Sequence, residues 1–136
     1  MLLDALIANI NIRVEMSIWS SINFHLVKWF SRNGCCDKSN AVLYLTFDDG
    51  PDPGITEFVL DTLAQYNVKA TFFCCGKQAE LYPELMHKIL DGGHRVANHT
   101  YSHINGLKVQ SSLYYKDIDM AHNILKTRMF RPPWGG

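Results

Sequence analysis

Beyond about residue 40, short apolar runs alternate with stretches whose apolar residues recur every three or four positions, the pattern of βα units around a largely parallel sheet. Val42 to Phe47 reads as a first strand closed by a Gly-Pro turn. The helix predicted next carries Ile55, Phe58, Val59, Thr62, Leu63 and Tyr66 on one side, with Thr56 as its N-cap and Val59 and Leu60 beginning the buried stripe. Ala70 to Cys74 reads as a second strand and Gly76-Lys77 as a loop. A helix from about Tyr82 to Leu90 takes Pro83 into its first turn and ends at Gly92-Gly93. His94 to Asn98 is the third predicted strand. Ser111 or Ser112 caps a longer helix running to about Lys126, with Leu113, Ile118, Ala121 and Leu125 facing a core, and Met129 to Arg131 begins a fourth strand.

The first 40 residues have a different pattern. Ile18, Ile22, Leu26, Trp29 and Phe30 fall at helical spacing, so a helix is predicted from about Val14 to Phe30. Packing over the rest of the chain is favoured over a membrane-surface role, because only Lys28 and Arg32 stand near its end and no basic face forms. The chain is thus divided into an N-terminal helical extension, 1–40, and an α/β domain, 41–136.

With 136 residues and a 47% hydrophobic share, the chain is long enough for one compact domain with a core of its own. Thirteen basic side chains balance 13 acidic ones, and no Lys/Arg stripe is present to neutralise a phosphate backbone, which argues against nucleic acid as a partner. The N-terminus is apolar only as far as Asp4 and then carries Arg13 and Glu15, so no signal peptide is read there, nor any segment clean enough to span a bilayer. The cysteines come as Cys35-Cys36 and Cys74-Cys75, a spacing of neither a redox nor a zinc motif. The second pair reads as small buried hydrophobes, one sulfur toward the core and one away from it.

Three polar motifs change the picture because each follows a predicted strand: Thr46 to Pro51 after the first, Asn98 to His103 after the third, and Arg131 to Gly135 after the fourth. In parallel α/β sheets and barrels, ligands and catalytic groups gather at the C-terminal strand ends. Alone, Asp-Asp-Gly-Pro is turn material, and two histidines four apart in a polar turn are ordinary surface residues. Together, two carboxylates, two histidines and an arginine are the set a metal hydrolase needs: imidazole and carboxylate donors for a divalent cation with a position open for water. His25, His87, His94 and His122 have no such partners and read as packing or surface residues. Asp117 and Asp119 read as residues of a solvated helix face. Asn98-His99-Thr100 matches a glycosylation acceptor, a reading rejected because a glycan there would cover the suspected ligands.

These motifs resemble those of the polysaccharide deacetylase family, the NodB-like enzymes of carbohydrate esterase family 4, over about Val42 to Gly135. The first motif stands as Thr46 to Pro51, the second as His99-Thr100-Tyr101-Ser102-His103, and the third as Arg131-Pro132-Pro133-Trp134-Gly135. The resemblance implies a distorted (β/α) barrel of the glycoside hydrolase/deacetylase type, of which only part is present here. It implies Asp48 as catalytic base paired with Arg131, and Asp49, His99 and His103 as metal ligands. The backbone N–H of Trp134 would stabilise the oxyanion. Two adjacent carboxylates repel, and a cation on one with an arginine on the other lets both stay ionised. Two histidines and one carboxylate suit zinc, with cobalt or nickel able to substitute.

The implied reaction is removal of N-acetyl groups from an N-acetylglucosamine polymer or oligosaccharide, either peptidoglycan or a chitin-like chain. This chain departs from the family pattern in two ways. Trp134 stands where the family has tyrosine, which alters the groove wall but not a backbone donor. The family's later Asp-Trp and Leu-x-His motifs, the second of which supplies the general acid, do not appear, and the single histidine after His103 is His122, in mid-helix. The expectation is therefore a C-terminally truncated deacetylase domain, inactive or weak by itself. A catalytically silent carbohydrate-binding or interaction fragment lacking the general acid is the alternative. The resemblance implies the cell envelope or extracellular space, although no export signal is read, and oligomeric state is not legible.

Overall fold

The computed structural model describes residues 44–135. The helix predicted from Val14 to Phe30 and the Cys35-Cys36 pair lie outside these residues. The described elements are β1 (Leu45–Asp48), α1 (Ile55–Gln65), β2 (Ala70–Cys74), α2 (Gly76–Leu81), α3 (Pro83–Asp91), β3 (Arg95–Asn98) and α4 (Ser111–Leu125), with 3-10 turns at Gly106–Lys108 and Pro133–Gly135. The three strands are parallel in the order β1-β2-β3, with Leu45 opposite Ala70 and Thr71 opposite Arg95. The predicted fourth strand is reduced to one parallel bridge between Asn98 and Phe130. Two bonds hold it, Asn98 N donating to Met129 O at 2.8 Å and Arg131 N to Asn98 O at 3.0 Å.

Strand alternation sorts the side chains. Ala70, Phe72 and Cys74 of β2 enter a core with Leu63 of α1, Ile89 of α3, and Ala121 and Leu125 of α4, and Leu45 and Phe47 of β1 pack against it. The Phe47 ring stacks on Phe72 at 5.2 Å. Thr46, Asp48 and Phe73 alternate to the other face, where Arg131 meets them. β1 therefore anchors one face in apolar packing and presents the other to Arg131.

The helices depart from expectation in four places. Thr56 lies inside α1 rather than capping it: Gly54, at φ 84°, stands at the N-cap, and Thr56 Oγ1 accepts from Asp52 N at 2.8 Å. The buried stripe of α1 accordingly runs through Thr56, Val59, Leu60 and Leu63, leaving Ile55, Phe58 and Tyr66 exposed. Gly76-Lys77 is not a loop but the start of α2. Finally, α4 begins at Ser111 itself after Gln110, with no side-chain cap, and its buried residues are Asp117, Ala121 and Leu125, while Leu113 is exposed. Among the described residues no helix is long and apolar enough to cross a membrane.

Candidate metal centre

Asp48 ends β1 on the same face as Thr46, two residues back, so one guanidinium can reach both. Arg131 Nη1 lies 2.6 Å from Asp48 Oδ1 and 3.1 Å from Thr46 Oγ1. Its Cζ sits 3.9 Å above the ring of Phe73, which is the register partner of Asp48. A charge-assisted bond on one edge and an aromatic face beneath fix the arginine, and the fixed arginine orients Asp48.

Asp49 turns the other way because its backbone is left-handed, at φ 74°, with its N–H bonded to Phe73 O at 3.1 Å. Its carboxylate thereby meets the second motif: Oδ1 is 3.3 Å from His99 Nε2 and 3.0 Å from His103 Nε2. One donor atom from each residue lies within 4.8 Å of the others. His99 is 3% exposed, and its Nδ1 is 2.8 Å from Arg131 O. A carbonyl can only accept, so Nδ1 carries a proton and Nε2 is the nitrogen turned toward Asp49. The Asp49 carboxyl is held below the usual carboxylate range, chiefly by hydrogen bonding to His99 and against the opposing effect of burial. An ionised carboxylate, an imidazole oriented with Nε2 toward it and a second imidazole within reach fit a divalent cation, and Asp49, whose side chain is 61% exposed, leaves a side open to solvent.

Arg131 links the two halves of the site. Its side chain holds Asp48 while its carbonyl holds His99. Trp134, in the Pro133–Gly135 turn at φ 65°, is 72% exposed, with its ring 5.5 Å from that of His103. All six residues singled out from the sequence therefore converge at the C-terminal strand ends. Two others bind the same loop: Asn98, which the second motif included without a role, and Asp117, which the sequence reading put elsewhere. Asn98 is 2% exposed; its Oδ1 accepts from Thr100 N at 2.8 Å and its Nδ2 donates to Ile118 O at 3.1 Å. Asp117, expected on a solvated face, is 9% exposed and bonded to Tyr101 and Ser102. The signal for Asp117 was its spacing, four residues before Ala121 and eight before Leu125, on the stripe that faces the core.

The remaining candidates take packing roles. His94 Nδ1 accepts from Ala70 N at 3.2 Å, and its ring meets Phe72 edge-on. His122 Nδ1 lies 2.9 Å from Thr127 O. Cys74 and Cys75 are free and buried, their thiols pushed up to about 12 mainly by that burial.

The family model for polysaccharide deacetylase matches residues 36–136. A peptidoglycan-N-acetylglucosamine deacetylase of Bacillus cereus is 44% identical over 103 residues, covering 71% of this chain and 38% of that protein. A chitooligosaccharide deacetylase of a Bradyrhizobium species is 37% identical over 100 residues, covering 68% of this chain and 46% of that protein. The chain thus spans less than half the length of either relative. Among solved structures, the family 4 carbohydrate esterase from Streptomyces lividans in complex with acetate matches with a TM-score of 0.67 and 33% identity, covering 71% of this chain and 53% of that one. The parallel sheet and its helices correspond to part of that fold, as the partial barrel read from the sequence requires.

Proposed function

Because the chain belongs to the polysaccharide deacetylase family, we propose that it carries the metal-binding and base-bearing part of an N-deacetylase acting on N-acetylglucosamine polymers, peptidoglycan or chitin-like oligosaccharides, in or outside the cell envelope. The proposal places the deacetylase domain at 41–136. Asp49, His99 and His103 would hold the cation, with zinc suiting the donor set best. A bound divalent metal supplies Lewis acidity toward the acetyl carbonyl and a water of lowered pKa.

The chain's own residues do the rest. Asp48, held in place by Arg131 at 2.6 Å, takes the proton from the attacking water. The backbone N–H of Trp134, fixed between Pro133 and Gly135, donates to the carbonyl oxygen as negative charge develops on it. The exposed indole beside His103 forms a wall on which a sugar ring can rest. No described residue is assigned the acid that protonates the leaving amine.

What carries this reading is the convergence of one carboxylate and two imidazoles beside a second, arginine-held carboxylate. Acetate released from N-acetylglucosamine oligomers, measured with and without zinc, tests it. Zinc-dependent release that falls about 10²- to 10⁴-fold in Asp48→Asn supports the reading. Release that survives chelation or the substitution overturns it, and sugar binding without release would favour the silent carbohydrate-binding alternative.

A further inference from the structure

Two histidines four residues apart point the same way automatically in a helix, but residues 99–103 are not helical. Thr100 and His103 have φ of 64° and 57°. Something outside the loop must therefore set the angle between its two imidazoles, and the loop's hydrogen bonds say what. His99 N donates to Cys74 O at 3.0 Å, and the carbonyls of Thr100 and Tyr101 accept from Gly76 N and Lys77 N, each at 3.0 Å. Thr100 N goes to the Asn98 side chain.

The two amides midway between the histidines, those of Tyr101 and Ser102, converge on one oxygen of Asp117, Oδ2, at 2.8 and 3.0 Å. Ser102 Oγ donates to the other oxygen, Oδ1, at 2.7 Å. Tyr101 N is also 3.2 Å from the Asp117 carbonyl. Close approach of α4 makes this possible: a Cβ on Gly76 would stand 2.9 Å from Tyr101 Cδ2 and 3.0 Å from Ala121 Cα.

We propose that Asp117 is a positioning residue of the metal centre: its carboxylate gathers the loop amides between His99 and His103 and so holds both imidazoles in ligating geometry before a cation arrives. Asp117 bonds to none of the three ligand side chains and acts through the loop between them, by two backbone amides and the Ser102 hydroxyl. A carboxylate suits the position because three donors converge and its two oxygens accept from all of them. The inference rests on the metal-site reading above and deepens it.

Zinc titration calorimetry on the full chain, with circular dichroism to establish folding, tests the proposal. Asp117→Ala is expected to weaken zinc binding about 10- to 100-fold, the usual cost of losing a group that orients a ligand. Asp117→Asn should recover most of that loss, since its amide oxygen still accepts both N–H groups and its NH₂ can donate to Ser102 Oγ. Leu63→Ala, a core truncation away from the loop, should lower stability and leave the affinity of the folded chain unchanged. Should Asp117→Ala not fold, Ser102→Ala removes a single bond and is expected to weaken zinc binding about 2- to 10-fold.

Asp117→Ala, or in its place Ser102→Ala, binding zinc as tightly as the unmodified chain overturns the proposal alone. So does an equal loss in Asp117→Asn and Leu63→Ala, which would mean a merely structural role. An unmodified chain that takes up no zinc overturns both this inference and the metal-site reading beneath it.

Discussion

Where β2, β3 and the Phe130 segment begin, the chain passes through left-handed backbone at Asn67, Gly93 and Lys126 (φ 50°, 75° and 51°), whereas where the strands finish the same conformation falls on Asp49, Thr100, His103 and Trp134 (φ 74°, 64°, 57° and 65°). Asparagine and glycine accept that region readily, and a helix C-terminus such as Lys126 commonly uses it. A β-branched residue does not. Thr100 is also fully buried, and its Oγ1 has no hydrogen-bond partner among the described residues. Such strain, of order 1–3 kcal/mol per residue, persists only where the surroundings over-determine the conformation. At the site end they do, through the carboxylate of Asp117, the amide of Asn98 and the first N–H groups of α2. The sheet thus uses one end for turning the chain and the other for aiming side chains.

If that division is real, damage to the core and damage to the loop should separate. Ile89 is fully buried among Phe72, Val96 and their neighbours, and Ile89→Ala is expected to cost about 2–5 kcal/mol in urea unfolding. The zinc affinity of the molecules still folded should not change, and a parallel loss of affinity would break the comparison. Thr100→Gly reverses the pattern. It relieves the strained φ and removes the unpartnered hydroxyl, yet it lets the backbone beside His99 relax, so zinc binding should weaken by about tenfold. At the other end Lys126→Gly relieves the same kind of backbone with nothing to lose, and melting experiments should show a gain of about 1 kcal/mol with unchanged zinc uptake.

The sequence carried the parts of this arrangement that repeat with a period or cluster in a motif. Ala70 to Cys74 was legible because a strand buried on both faces is a continuous apolar run, and Pro83 with Gly92-Gly93 bracketed α3 through backbone chemistry alone. The convergence of the six candidate residues was legible because their types are rare in combination at strand ends. What escaped depended on which way a helix rolls against the sheet. Thr56 and Asp117 both looked like surface or capping residues, and both lie on buried stripes because Leu63, and Ala121 with Leu125, set the roll. A short helix such as α2 has too few residues for a period, and its first N–H groups are satisfied by the loop at Thr100 and Tyr101, a contact 24 residues away in sequence that no local pattern announces.

The smallest effect expected sits at the quiet end of the sheet, on His94. The residue is 8% exposed, and its Nδ1 accepts from Ala70 N, a bond that requires a free lone pair on that nitrogen. Burial, followed by the nearby Lys69 ammonium, holds its pKa below the ordinary value for histidine. The unfolded chain therefore binds this proton more readily than the folded one. Its contribution to stability is fully present above the unfolded pKa and is lost as pH falls through the lower, folded value. His94→Asn keeps an oxygen acceptor where Nδ1 stood and cannot titrate, so its unfolding free energy should decline less steeply than that of the unmodified chain as pH falls from 7 to 5. All other groups are common to both proteins and cancel in the difference. Identical slopes would mean that the imidazole is solvated despite its burial. A difference confined to stability, with zinc affinity at pH 7 equal in the two chains, would show that the end opposite the metal site can be altered without disturbing it.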